Sequence, residues 1–246
     1  MRCVVFDAEI VNSIDPKAGI GWKDFDKMHI SVACAFDYAT GDYHVFLQDN
    51  MQGLIDLLEG ADLVAAFNNL NFDNPLIAAE AQRLELTING ESATQPGVAT
   101  DFLVRLNAKS YDMLEESRKG WGWKGGRFPV GFRLDEHLQA LWGAEMMKTE
   151  DGAQAPILWR EGKFGKVIDY CLADVRRERQ LFEWAWYGGQ FKCAGSKGHA
   201  VKPPQAQLGI QADARLPYFG GPFSDSAVNT IVGRFKLGNL DKGTDA

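Results

Sequence analysis

Two carboxylates, Asp7 and Glu9, close the apolar run Cys3-Val4-Val5-Phe6 near the start of the chain. If that run is a strand, both point to one face, because side chains at i and i+2 share a direction. Like charges held that close raise each other's pKa unless a cation lies between them. Mg²⁺ and Mn²⁺ prefer carboxylate oxygens, so divalent-metal binding is the chemistry this pair could do. Taken alone, a strand ending in a solvated acidic turn explains the pair equally well.

Two other stretches offer further ligands. In Phe67-Asn68-Asn69-Leu70-Asn71-Phe72-Asp73-Asn74-Pro75, Asp73 lies where a strand gives way to a helix. Ligands in open α/β sheets gather at such crossings. Asp73 followed by Pro75 also suits a plain helix start. In Val167-Ile168-Asp169-Tyr170-Cys171-Leu172-Ala173-Asp174, Tyr170 and Asp174 are four apart and share a helix face. By itself this could be a core helix with a boundary tyrosine and a solvated aspartate.

The elements that must position these residues follow from periodicity and breakers. Residues 3–9, 30–36 and 43–47 read as strands joined by short polar links, an antiparallel meander. Residues 51–58 read as a short amphipathic helix, 63–67 as a buried fourth strand and 72–84 as a helix. That alternation implies a mixed α/β sheet with helices on its faces. Residues 88–99 are rich in turn formers, and 102–107 suit either a helix or a fifth strand. A helical period returns over 134–146, and a long apolar helix spans 166–187, stopped by Gly188-Gly189.

Bulk properties narrow the function classes. The 246 residues are 46% hydrophobic and 24% charged, enough for one large domain or one domain with an appendage. Acidic residues outnumber basic ones 33 to 26, so overall charge does not draw this chain to nucleic acid. Cys3, Cys34, Cys171 and Cys193 are scattered, which favours free thiols over a zinc or disulfide framework. With a strand from residue 3 and no long apolar run, the expectation is a cytoplasmic protein with no signal peptide and no membrane association.

Together the stretches are far more specific than any one alone. Phe6-Asp7-x-Glu9, Asn68-x4-Asp73 and Tyr170-x3-Asp174, in that order, resemble the DEDD superfamily. These are the DnaQ-like 3′–5′ exonucleases with an RNase H-like fold. The tyrosine four residues before the last aspartate resembles the DEDDy branch. Within it, the likeness is to the exonuclease domain of family B DNA polymerases and to stand-alone phage and bacterial relatives. It covers residues 1–187 and leaves 188–246 as a C-terminal extension of unknown role. The implied fold is a mixed five-stranded sheet, antiparallel meander plus parallel strands, with helices on both faces.

The resemblance also implies a site. Asp7, Glu9 and Asp174 would bind one divalent ion, Mg²⁺ or Mn²⁺, and Asp7 would bridge to a second held by Asp73. Two such ions about 3.5–4 Å apart stabilise both the attacking and the leaving oxygen. Tyr170 would orient the nucleophile or the phosphate, since a phenol with a pKa near 10 is a poor base at neutral pH. Asn68 and Phe72 would contact the substrate strand.

Single-stranded nucleic acid is held by stacking on aromatics and by Lys or Arg on phosphates. The stretch 118–133 carries five basic residues, two Trp, two Phe and no acid. Trp121, Trp123, Lys124 and Arg127 are its candidate substrate contacts if it is a strand-holding loop. A glycine-rich connector with its tryptophans tucked into the core is the other reading. Arg176, Arg177 and Arg179 read as a solvated helix face. The expected partner is single-stranded nucleic acid, DNA ahead of RNA, with any replication or repair partner unknown. An RNA 3′ exonuclease and a non-catalytic binding subunit are the alternatives.

Overall fold

The computed structural model describes residues 1–125, 132–143, 152–193, 197–209 and 216. Strand β1 (Cys3–Ile10) is the centre of the architecture. It pairs antiparallel with β2 (Ile30–Asp37), which pairs antiparallel with β3 (Asp42–Phe46). On its other edge β1 runs parallel to β4 (Leu63–Ala66). After the small hairpin β5 (Thr87–Ile88) and β6 (Glu91–Ser92), strand β7 (Ser110–Asp112) adds parallel to β4. The five-stranded sheet has the order β3-β2-β1-β4-β7.

Alternation along β1 divides the core into two layers. Val4, Phe6 and Ala8 face α2 (Met51–Glu59), α3 (Asp73–Arg83) and α4 (Val98–Ala108). Cys3 and Val5 face α8 (Phe164–Trp186) across a core that includes Cys34, Phe36, Val167, Cys171, Val175 and Phe182. Every residue of β2 is buried, as a strand covered on both faces must be. The 23 residues of α8 reach about 35 Å. Beyond it Gly188 takes a left-handed φ of 81°, and the Gly189 N–H closes onto the Trp184 carbonyl at 2.8 Å.

Other sequence expectations divide. Residues 102–107 are helical, inside α4, and the fifth strand follows them as β7. Three residues are too few to show a strand period, and parallel pairing with β4 creates the strand. The stretch 118–133 begins as the last turn of α5 (Met113–Trp121), which Gly122 ends at φ 82°. The Arg118 guanidinium lies 5.5 Å from the Trp123 ring centroid, and Trp121 packs edge-on against Phe132. Arg179 is not solvated: it is buried against Glu183 and Phe36. A period count cannot see this, because the aromatic groups that cover it come from β2 and β3.

Residues 191–193 and 197–209 run back over the β7 edge. Phe191 and His199 bridge to each other, and the Tyr111 hydroxyl donates to the Lys202 carbonyl at 2.7 Å. From α9 (Pro204–Leu208), Gln205 donates to the Trp186 carbonyl at 2.6 Å. Beneath them lies a buried trio. Ser117 Oγ is 3.2 Å from His137 Nε2, on α6 (Leu134–Trp142), and 3.0 Å from His199 Nε2. His137 Nδ1 faces the Lys192 carbonyl and must carry the proton there, so its Nε2 accepts from Ser117. His199 Nε2 then donates to Ser117, leaving His199 Nδ1 buried without a partner among the described residues.

Burial first, with His199 adding to it, holds His137 near pKa 4 against an ordinary 6.5, opposed by the bond to Lys192. The unfolded chain therefore takes up the proton first as pH falls. His137 contributes stability that is full above about 6.5 and lost on the way down to about 4. The loss is on the order of 3 kcal/mol, at about 1.4 kcal/mol per pKa unit. Urea melts of the wild type and His137→Gln should show a wild-type advantage at pH 7.5 that closes toward pH 4.5. A gap independent of pH would contradict this.

Candidate functional site

β1 outlasts its parallel partner. Pairing with β4 covers Cys3 to Val5 only, and the chain leaves β4 at Ala66, so Asp7 to Ile10 border an open crevice. Crevices at the carboxyl ends of parallel strands are where open α/β sheets place ligands. A pocket of about 440 Å³ lies there, lined by residues of β1, the 13–22 loop, the 67–73 turn, the 152–156 segment and α8.

The pocket collects the carboxylates. Oxygens of Asp7, Glu9 and Asp174 all lie within 4.8 Å of one another. Asp7 and Glu9 come from one face of β1, and Asp174 comes from the α8 helix packed over that face. Asp73, the first residue of α3, belongs to the opposite layer. Its carboxylate lies near enough to the Ala8 N–H to be stabilised by it electrostatically. Asp73 is thus no solvated cap: it is buried beside the strand between Asp7 and Glu9.

Crowding sets the electrostatics. Burial first, then Glu178, Glu9, Asp174 and Asp73, push the Asp7 carboxyl well above the usual range. Burial likewise carries Asp73 up to about 7, opposed by hydrogen bonds from its own N–H and that of Ala8. Asp7 Oδ2 is sealed from solvent and has no hydrogen-bond partner among the described residues. Asp174 pairs with Arg177 at 2.9 Å. An oxygen-only donor set with a buried, unsatisfied carboxylate atom at its centre fits a hard divalent cation.

The turn between β4 and α3 is held by groups behind the pocket. Asn68 sits at φ 74°, a left-handed conformation that asparagine tolerates well. Its N–H and that of Leu70 donate to the Asp112 carboxylate at 3.0 and 3.2 Å. The Phe67 N–H donates to Glu178 Oε1 at 3.1 Å. Asn69 and Asn74 are fully buried and hydrogen-bond each other, so they support the loop from within. Asn68, Phe72 and Asp73 then line the pocket. On α8, Tyr170 lines it too, and a side chain at Gly152 would meet the Tyr170 hydroxyl at 3.0 Å.

The structure thus brings Asp7, Glu9, Asn68, Phe72, Asp73, Tyr170 and Asp174 to one pocket. Trp121, Trp123 and Lys124 do not line it, and Arg127 lies outside the described residues. Glu178 and Trp22 were missed. Glu178 had a signal, four residues after Asp174 on the same helix. Trp22 had none, for it sits in an aperiodic loop.

No protein-family model matches this chain, and no curated protein matches it. Among solved structures it is similar to a family B DNA polymerase from the hyperthermophilic archaeon Pyrobaculum calidifontis. The sequences are 12% identical, with a TM-score of 0.50 over 86% of this chain. The chain spans 27% of that polymerase. At this identity the likeness shows the fold, and the mixed five-stranded sheet with helices on both faces is RNase H-like. Among the described residues no helix is long and apolar enough to cross a membrane.

Proposed function

We propose that the chain is a metal-dependent 3′–5′ exonuclease of the DEDDy type that hydrolyses single-stranded DNA or frayed 3′ ends. The observation that carries this reading is the cluster of Asp7, Glu9 and Asp174 oxygens within 4.8 Å, with Asp7 Oδ2 buried and unsatisfied. Like charges crowded this closely cost free energy unless compensated, and a bound cation is the compensation this reading supplies. Tyr170 and Asp73 beside it complete the set that the sequence resemblance implies.

In this reading Asp7, Glu9 and Asp174 would hold one Mg²⁺ or Mn²⁺, and Asp73 together with Asp7 would hold a second. Bound there, the ions would stabilise the attacking and leaving oxygens of an in-line displacement at phosphorus. Tyr170, protonated at neutral pH, would donate a hydrogen bond that orients the scissile phosphate. Asn68 would place its amide against the terminal nucleotide from a backbone pinned by Asp112. Phe67, Phe72 and Pro156 supply an apolar wall that limits water around the phosphate.

The test is cleavage of 5′-labelled single-stranded DNA and of matched RNA, each with Mn²⁺ or with EDTA. A metal-dependent ladder shortening from the 3′ end, faster on DNA, is the expected result. A faster RNA ladder would move the assignment to an exoribonuclease. Binding of both strands without cleavage would leave a non-catalytic binding protein.

A further inference from the structure

Trp22 is 52% exposed, yet it lines the pocket beside Asp7, Glu9 and Asp73. Its ring lies 5.2 Å from that of Phe72, tilted by 35°, and Phe25 backs Phe72 edge-on at 6.1 Å. Its loop is well ordered by hydrogen bonds. The Gly21 N–H donates to Asp24 at 2.8 Å, and Lys27 Nζ donates to the Gly19 carbonyl at 3.0 Å. At the loop base, the Val11 and Asn12 N–H groups close onto His29 and Met28 at 2.9 and 3.0 Å. The indole is therefore held at the pocket by a built loop.

A polyanion meets a difficulty in this pocket. The chain carries a formal charge of −7, and the pocket is lined with carboxylates, so charge on the protein repels phosphates. A term indifferent to charge adds attraction beyond that of any bound cation. Stacking of a base on an aromatic ring is such a term, and it tolerates any sequence because every base has a π-face.

We propose that Trp22, backed by Phe72, is the platform on which the terminal nucleobase of a single-stranded polynucleotide stacks. The inference rests on the exonuclease reading and adds the residue that grips the base. Purines, with the larger π-face, stack better than pyrimidines. The role is binding and positioning; Trp22 takes no part in proton or phosphoryl transfer.

The experiment compares two ten-nucleotide oligodeoxyadenylates, one with a 3′-terminal adenine and one with an abasic 3′ residue. Single-turnover cleavage rates are measured with Mn²⁺, and dissociation constants with Ca²⁺ on strands whose 3′-terminal linkage is a phosphorothioate that resists cleavage, for the wild type, Trp22→Ala and Trp22→Phe. The wild type should bind the adenine end about 10-fold or more tighter than the abasic end. Trp22→Ala should erase that ratio by weakening only the adenine end, and Trp22→Phe should restore most of it. Melting curves of all three proteins check folding. A Trp22→Ala protein that still discriminates as the wild type does, or that loses both ends equally, overturns the stacking assignment alone. A wild type that neither binds nor cleaves either strand overturns the exonuclease reading and this inference with it.

Discussion

Asp7→Asn should cut hydrolysis of single-stranded DNA by on the order of 10³-fold or more, and it should make the metal-free protein more stable. The first effect follows from the proposed site, where Asp7 serves both ions; losing one group that stabilises a transition state is commonly felt on this scale. The second follows from the sealed Asp7 Oδ2 and the carboxylates of Glu178, Glu9, Asp174 and Asp73 around it. An amide of the same shape removes one charge and offers N–H donors to its neighbours. A gain of about 1 kcal/mol corresponds to roughly 2–4 °C in Tm for a chain of this size. In EDTA the variant should therefore melt above the wild type. In Mn²⁺ the order should narrow or invert, because a ligand that binds only the folded state stabilises it by about 2.7 kcal/mol at one hundred times its Kd. Calorimetric melts of both proteins under both conditions check this. Equal stabilisation of wild type and variant by Mn²⁺ would remove Asp7 from the metal site.

Arg179→Ala should cost about 3–5 kcal/mol, the usual consequence of removing one partner of a buried ion pair. Arg179 Nε donates to Glu183 Oε1 at 2.7 Å, and the same oxygen accepts the Tyr38 hydroxyl at 2.8 Å. The guanidinium carbon lies 4.0 Å from the Phe36 ring centroid, and a second nitrogen donates to the Tyr43 hydroxyl at 3.3 Å. These groups join α8 to β2 and β3. Truncation leaves Glu183 buried beside one hydroxyl and empties the space over Phe36. The Tm should fall by roughly 6–20 °C. The double variant Arg179→Met/Glu183→Leu should recover most of the loss, since a well-packed apolar pair can replace a buried ion pair. Failure of the double variant to recover would mean that Glu183 is not the group stranded by the single change.

Asp174, which faces Asp7, and Arg179 both lie on α8, and the two were not equally legible. The period of α8 is plain in the sequence, and it places Tyr170, Asp174 and Glu178 on one face. The same period read Arg179 as solvated, although its aromatic and acidic partners bury it. Helical spacing reports which residues share a face and is silent on what covers that face. Asp73 shows the same limit. Its neighbours allowed a helix start, and α3 does start there, but its side chain is buried and lines the pocket.

From the sequence alone came the meander, the buried fourth strand, the long helix α8 and the carboxylates that converge. Those features are local: apolar alternation, a strand-to-helix switch and four-residue spacing need no distant partner to be visible. Tertiary structure decided the rest. Strand β7 exists only through pairing with β4, the pocket exists because β1 extends beyond β4, and Trp22 joins it through a loop with no period. Each depends on contacts between residues far apart in the chain, and no local pattern encodes which distant group will meet which.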